Sequence, residues 1–197
     1  MDSLAQIDRE VSVCTDCPLS QSRSMAVPGD GPDNAEIMFI GEAPGFNEDK
    51  QGRPFVGAAG NFLERLLSSA GLHREDVYIT NMVKCRPPNN RDPMPGEIAA
   101  CRKYLDRQIE SISPKVIATL GRHSMVAFLP KETITKAHGR PRDVNGLTIF
   151  PMFHPAAALH QQSLRQVIEE DFKKLPALLQ ETSQTQGAED AEQLSMF

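Results

Sequence analysis

Short apolar runs alternate with amphipathic helical patterns along this chain, and this alternation restricts the possible folds more than any other feature. Apolar runs of this length, bounded by turn residues, are typical of buried strands, and intervening helices let successive strands lie parallel. The pattern therefore predicts an α/β domain with a mainly parallel sheet. The predicted strands are Glu36–Ile40, Val77–Thr80, Lys115–Leu120 and Leu147–Phe150. The predicted helices are Ala59–Ala70, Pro95–Ser111, Arg122–Phe128 and a last one from about Leu164 to Gln180.

Three unusual stretches directly follow predicted strands. They read GEAPG after Ile40, NMVKCRPPNNRDP after Thr80 and HPAAAL after the fourth strand. Ligands of open parallel sheets bind at the carboxyl ends of the strands. The three stretches should therefore meet at one edge of the sheet and form the active face of the protein.

Three residues in or shortly after these stretches have side chains suited to binding a planar ligand. The glycine-rich segment from Gly41 to Gly60 contains neither a P-loop nor a G-x-G-x-x-G pattern. Its Phe55 could stack on a base, or it could be an ordinary core residue. Asn81 offers an acceptor and a donor pair that match N3–H and O4 of uracil, although an asparagine can also cap a turn. His154 is either a buried, satisfied histidine or a functional hydrogen-bond donor.

Composition restricts the partners and the compartment. The net charge is −5, which argues against a nucleic-acid binder held by bulk charge alone. From Glu181 onward the chain carries four acidic residues and no lysine or arginine. Residues 1–180 therefore have a net charge of −5 + 4 = −1, which is compatible with a local basic face. We find no apolar stretch of the ~20 residues that a membrane span needs and no apolar signal core. We therefore expect a soluble, cytoplasmic protein with no membrane partner.

The chain has four cysteines, of which the first two form a C-x-x-C pair. In a reducing cytosol two disulfides are not expected, and such a set favours metal ligation. The four cysteines are Cys14, Cys17, Cys85 and Cys101.

The motifs GEAPG, TNMVKCRPPNNRDP and HPAAAL, together with the cysteine spacing, resemble the family 4 (thermostable-type, iron–sulfur) uracil-DNA glycosylases. The resemblance covers about residues 10 to 180. It implies a three-layer α/β/α fold with a central four-stranded, mainly parallel sheet and a [4Fe–4S] cluster held by the four cysteines. Zinc is the alternative metal, but structural zinc sites usually use two close ligand pairs, and only one pair is close here.

The resemblance also implies roles for individual residues. Phe55 would stack on a flipped-out uracil, and Asn81 would read its Watson–Crick edge. His154 would donate to uracil O2, where negative charge develops as the N-glycosidic bond breaks. The backbone from Gly41 to Ala43 would line the pocket. The enzyme would be monofunctional and leave an abasic site, because no lysine is placed for attack on the sugar.

One position departs from the superfamily's founding branch, which has an aspartate that positions the attacking water where this chain has Ala43. Glu42 is the first candidate to hold the water instead, and Glu48 is the second. Glu48 could alternatively lie near C5 of the base and exclude the methyl group of thymine.

Basic residues near the motifs are predicted to contact DNA phosphates. Leu159 is the candidate for a wedge in the minor groove. Lys84, beside Cys85, is expected to serve the cluster or a phosphate. The predicted phosphate contacts come from one group of cations near the later cysteines and another near Pro141, comprising Arg86, Arg91, Arg102, Lys103, Arg140 and Arg142.

Residues 1–180 are predicted to form the catalytic domain and residues 181–197 a disordered acidic tail. The tail ends in QLSMF, which resembles the pentapeptide by which bacterial repair proteins bind the sliding clamp, and this points to a bacterial source. Its anchors would be Gln193, Leu194, Met196 and Phe197. We expect a monomer. The alternative function is a non-catalytic iron–sulfur or zinc protein that binds DNA on the same fold.

Overall fold

The computed structural model describes the backbone of residues 2–194 and the side chains of residues 2–184. A five-stranded sheet, ordered β2-β1-β3-β5-β4, forms the centre of the domain. The pairs β1/β2, β1/β3 and β3/β5 are parallel, so the predicted α/β architecture with a mainly parallel sheet is confirmed. The strands are β1 Ile37–Gly41, β2 Tyr78–Asn81, β3 Val116–Leu120, β4 Arg142–Val144 and β5 Leu147–Met152.

Helices cover both faces of the sheet, as a three-layer fold requires. One face buries Leu63, Leu66 and Phe172 against β1 and β3 side chains, and the other buries Leu105 and Ile112. The helices described are α1 Leu4–Val13, α2 Phe46–Gln51, α3 Ala58–Ser69, α4 Pro95–Ile112, α5 Arg122–Val126, α6 Ile134–Ala137, α7 Pro155–His160, α8 Ser163–Phe172 and α9 Leu175–Leu194. Within the described residues, we find no helix both long and apolar enough to cross a membrane.

The strand β4 was not predicted, so the expected four-stranded sheet gains a fifth strand. It pairs antiparallel with β5 through a tight hairpin. Asn145 and Gly146 occupy the turn with φ of +56° and +81°. Two consecutive positive φ values define the turn that Asn-Gly favours between antiparallel strands. The dipeptide was therefore a readable signal for this hairpin.

The last predicted helix is divided in two, because α8 ends at Phe172 and α9 begins at Leu175. Pro176 accounts for the break, since it has no N–H to donate to the carbonyl of Phe172 four residues earlier, whereas proline is well tolerated in the first turn of a new helix. α9 continues to Leu194, whereas the sequence predicted disorder from Thr182 to Glu192. Its first turns pack on the domain through buried Leu175 and Leu178.

Candidate active site

A pocket of about 460 Å³ opens at the carboxyl edge of the sheet. It lies where the segments after β1, β2 and β5 meet, which is the predicted active face. The structure thus brings together side chains that are more than 100 positions apart in the chain. The predicted residues that line it are Glu42, Ala43, Glu48, Phe55, Asn81 and His154.

Gly41, also predicted to line the pocket, is not among its lining residues; it is the last residue of β1 and lies close to Asn81 and Phe55, which do line it. A Cβ at this position would be 2.3 Å from Asn81 Oδ1 and 2.9 Å from Phe55 Cζ. Both distances are shorter than van der Waals contact allows. Glycine is therefore required at this position for the asparagine and the aromatic ring to converge.

Asn81 ends β2 and is 2% exposed, and its Oδ1 has no hydrogen-bond partner among the described residues. A buried acceptor without a partner costs about 1–3 kcal/mol, and such groups usually have a functional reason. Its backbone carbonyl, in contrast, accepts a hydrogen bond from Lys84 Nζ at 2.9 Å. The residue is therefore anchored through its backbone while its side chain presents an unused acceptor to the pocket.

Phe55 forms one wall of the pocket in a strained backbone conformation. Its φ is +52°, a value that residues other than glycine rarely adopt. Arg74 holds the conformation by donating to the carbonyls of Phe55 at 3.1 Å and Pro54 at 2.5 Å. The ring of Phe55 stacks against that of His154, with centroids 5.5 Å apart. Strain maintained by surrounding contacts is typical of functional positions.

His154 precedes α7, and its Nδ1 accepts the N–H of Ala156 at 3.1 Å. Burial lowers the pKa of His154 to about 4, and the nearby Glu48 carboxylate opposes this only in part. The imidazole is therefore neutral at physiological pH. Because Nδ1 accepts, the single proton must lie on Nε2, which leaves Nε2–H as a donor.

Glu48 lines the same pocket, and its Oε1 accepts the backbone N–H groups of Val56 and Gly57, both at 2.9 Å. These bonds tie α2 to the segment that carries Phe55. Two N–H donors to one carboxylate oxygen also restrict rotation of the side chain. The carboxylate is therefore held in a constant position at the pocket wall.

Glu42 lies beside two residues that sequence reasoning did not single out. His123 Nε2 is 3.6 Å from Glu42 Oε2 and 3.1 Å from Asp92 Oδ2. Burial raises the pKa of Glu42, the facing His123 opposes that rise, and Asp92 adds to it. A carboxylate with a raised pKa accepts protons more readily at neutral pH, as a general base requires.

Lys84 does not face solvent, and the predicted phosphate contact is wrong. The side chain is 1% exposed, and its amine donates to Thr80 Oγ1 at 2.6 Å, Asn81 O at 2.9 Å and Gln108 Oε1 at 2.6 Å. Its backbone N–H donates to Cys101 Sγ at 3.3 Å. Lys84 therefore lies between the cysteines and Asn81 and contacts both.

The four cysteines, all unpaired, line one small cavity next to α1 and α4. Cys85 Sγ accepts from Arg23 at 3.0 Å. Burial raises the pKa of the Cys85 thiol, and it raises that of Cys101 to about 11. Thiolates in such surroundings need a cation to compensate the cost of burying their charge.

The predicted DNA contacts differ in their surroundings. Arg91 lines the pocket and forms a two-point ion pair with the buried Glu97, at 2.7 and 2.9 Å. The cation of Arg91 is therefore already neutralised. Arg86 donates to Asn90 at 2.8 Å, whereas Leu159, at 48% exposure, is accessible on α7.

The other predicted cations are mostly paired. Lys103 pairs with Asp16, Arg102 with Asp106 and Arg142 with Glu132. Arg140 is exposed and lines a separate hollow.

Several lining residues were missed by sequence reasoning. They follow β2 or belong to α7, and all lie within a recognised motif or, for His160, directly after one. They are Pro87, Asn90, Ala156 and His160. The predicted clamp anchors Met196 and Phe197 lie outside the described residues, and the side chains of Gln193 and Leu194 lie outside the described side chains.

Comparison with known proteins relates this geometry to one family. Residues 28–178 match the family profile described as "Uracil DNA glycosylase superfamily". The chain is similar to the type-4 uracil-DNA glycosylase of Sulfurisphaera tokodaii, with 54% identity over 90% of this chain and 86% of that protein. Identity to the type-4 uracil-DNA glycosylase of Archaeoglobus fulgidus is 47%, over 90% and 94% of the two chains. For the type-4 enzyme of Thermotoga maritima it is 47%, over 88% and 93%. This chain therefore belongs to the uracil DNA glycosylase superfamily.

Proposed function

We propose that this protein is a monofunctional uracil-DNA glycosylase of type 4, which hydrolyses the N-glycosidic bond of uracil in DNA and leaves an abasic site. The observation that carries the proposal is the buried, unpaired Oδ1 of Asn81 at the base of the pocket. An enclosed acceptor beside an aromatic wall matches a planar base with an N–H on its edge. The base must leave the DNA stack to reach this acceptor.

Uracil satisfies the pocket better than cytosine. It presents N3–H to Asn81 Oδ1 and O4 to the amide group, while its ring packs against Phe55. Cytosine has an unprotonated N3 and an amino group, so both contacts would become unfavourable. A site with a buried acceptor rejects a base that lacks the matching donor, because that acceptor stays unpaired.

The neutral His154 supports departure of the base. As the C1′–N1 bond breaks, its electron pair moves to uracil N1 and charge spreads to O2. A donor at Nε2 stabilises that charge, as oxyanion-hole donors do by ~3–4 kcal/mol. A water oxygen then bonds to C1′, and Glu42 accepts the proton that this water loses.

Glu48 would maintain discrimination against thymine. The N–H groups of Val56 and Gly57 hold its carboxylate at the pocket wall, so it cannot rotate to admit a methyl group at C5. The second role of Glu48 would be to help Glu42 orient the water, and it too depends on a carboxylate that these hydrogen bonds hold in one position.

We further propose a [4Fe–4S] cluster as the cofactor, held by Cys14, Cys17, Cys85 and Cys101. The shared cavity supports a common ligand for the four thiols. A single zinc ion would need sulfurs about 3.8 Å apart, as follows from Zn–S bonds of about 2.3 Å. Among the described side chains, the groups of three ligand atoms within 4.8 Å of one another comprise Glu42, Asp92 and His123 and do not include the cysteines. A cluster held by these cysteines would connect the segment after α1 to the segment after β2 and to α4.

The C-terminal segment suggests a partner. Leu194, Met196 and Phe197 follow an acidic segment, a composition suited to apolar anchors on a tether that docks in a groove of the bacterial sliding clamp. A bacterial, cytoplasmic, monomeric enzyme that acts at the nucleoid fits this proposal. Deletion of residues 193–197 should abolish clamp binding and leave excision of uracil from oligonucleotides unchanged.

The function is tested with an oligonucleotide that contains one uracil. We expect uracil release by the wild type and a loss of at least about 100-fold in the single-turnover rate for Asn81→Ala and His154→Ala. Asn61→Ala, at an exposed position of α3, is the matched control and should keep full activity. A folded, metal-loaded wild type that binds this DNA without releasing uracil would instead establish the non-catalytic alternative.

A further inference from the structure

A second hollow, of about 510 Å³, lies beside the C-terminal end of α6 and the residues that follow α8. Four of its lining residues carry basic side chains. We call it the basic hollow, and it is lined by Thr135, Lys136, His138, Gly139, Arg140 and Lys174. Within the described part of the chain, the side chains of Lys136 and Arg140 form no ion pair.

A buried carboxylate holds the other two basic residues in position. Asp171 is 1% exposed, and its two oxygens lie 2.7 Å from His138 Nδ1 and 2.7 Å from Lys174 Nζ. Gly139, with φ of +66°, allows this close approach, because a Cβ there would be 2.0 Å from Asp171 Oδ1. The cations of Lys136, Arg140 and Lys174 against the one carboxylate of Asp171 give 3 − 1 = +2, before His138 is counted.

The basic hollow contacts β5 and the segment that follows it, which leads into His154. Gly139 N–H donates to Pro151 O of β5 at 2.9 Å. The ring of His138 packs on that of Phe153, with centroids 4.7 Å apart. Phe153 directly precedes His154, which lines the base pocket. A group bound in the basic hollow would therefore be adjacent to the segment that contacts the base.

We propose that the basic hollow is a phosphodiester-binding subsite that holds the DNA backbone next to the flipped nucleotide. The proposal rests on the proposed function, because it takes DNA as the ligand. Two unpaired cations and an oriented Lys174 match the charge of a phosphate, and contacts to phosphate position a protein on DNA without reading sequence. The subsite would hold the strand while Asn81 reads the base.

The test compares Lys136→Gln/Arg140→Gln with the wild type in binding to a duplex that carries an uncleavable uracil analogue. Each lost phosphate contact should reduce the slope of log K against log salt by about 0.9 and weaken binding roughly eightfold at 0.1 M salt. Lys173→Gln is the control, since Lys173 is exposed and adjacent to Lys174 but does not line the basic hollow. Its affinity and salt slope should equal those of the wild type.

The excision rate separates the two proposals. At saturating DNA, the double variant should release uracil within about twofold of the wild-type single-turnover rate, because phosphate contacts position the strand without touching the base. An unchanged Kd and salt slope in a double variant that still excises uracil would overturn the subsite and leave the glycosylase intact. A wild type that never excises uracil, yet binds DNA through Lys136 and Arg140, would overturn the enzyme and support the subsite. If Lys173→Gln weakened DNA binding as much as the double variant, the loss of affinity would reflect general surface charge, and this result would also overturn the subsite.

Discussion

His154 should stay neutral, with its proton on Nε2, across the whole range in which the enzyme works. The structure requires this in two ways: burial lowers its pKa to about 4, and its Nδ1 accepts the N–H of Ala156. A neutral donor stabilises negative charge on uracil O2 without having to lose a proton first. Lowering the pH from 7.5 to 5 therefore should not change the charge of this ring in the folded protein.

The same shift predicts how stability depends on pH. The pKa of His154 is lower in the folded state, at about 4, than in the unfolded chain, at about 6.5. Below pH 6.5 the unfolded chain takes up a proton that the folded protein excludes, so the free energy of unfolding falls as the pH falls. Between pH 6.5 and 5 the loss amounts to at most about 2 kcal/mol, at 1.36 kcal/mol for each pH unit. Well above pH 6.5 His154 is neutral in both states, so it no longer lowers the free energy of unfolding.

The assay is urea unfolding of the wild type and His154→Gln at pH 7.5, 6.5, 5.5 and 5. The difference between their free energies of unfolding should shrink towards acid pH by up to the stated amount, because only the wild type carries the group. Nitrogen NMR of the histidine rings, with His154 assigned by its absence in the variant, should show the neutral Nε2–H form at pH 5.5. A cationic ring at that pH, or a proton on Nδ1, would refute the reasoning.

Three substitutions test other parts of the site. Gly41→Ala places a Cβ 2.3 Å from Asn81 Oδ1 and should lower the excision rate roughly 100-fold by displacing the recognition groups. Glu42→Gln should lower the single-turnover rate by roughly 100-fold or more with little change in Kd, because it removes the proposed base and keeps its shape. Lys84→Met should weaken binding of free uracil, because the amine no longer holds the carbonyl of Asn81.

Each substitution has an internal check. Gly96→Ala, at a site with no atom within 4 Å of the added Cβ, is the control for Gly41→Ala and should be silent. An active Gly41→Ala enzyme would contradict the proposed convergence at the pocket base. Equal single-turnover rates for Glu42→Gln and wild type would exclude Glu42 as the base. If Lys84→Met is folded and keeps its affinity for free uracil, the lysine has no positioning role.

Much of the fold was readable because its signals are local. Apolar runs and helical periodicity located β1, β2, β3 and β5 within a few residues. The missed β4 had its own local signal in Asn145–Gly146. The break before α9 also had one, in Pro176. Both features are therefore encoded locally, by a turn dipeptide and by a proline.

The sequence by itself determined which residue types follow each strand, and hence that Phe55, Asn81 and His154 would face one edge of a parallel sheet. Only the tertiary structure decided what those side chains touch. It gave Asn81 its unpaired oxygen, placed His123 beside Glu42 and enclosed Lys84, all through contacts between distant segments. Such contacts depend on how helices pack on the sheet, which local periodicity does not encode, because it specifies the buried face of each element and not its partner across the core.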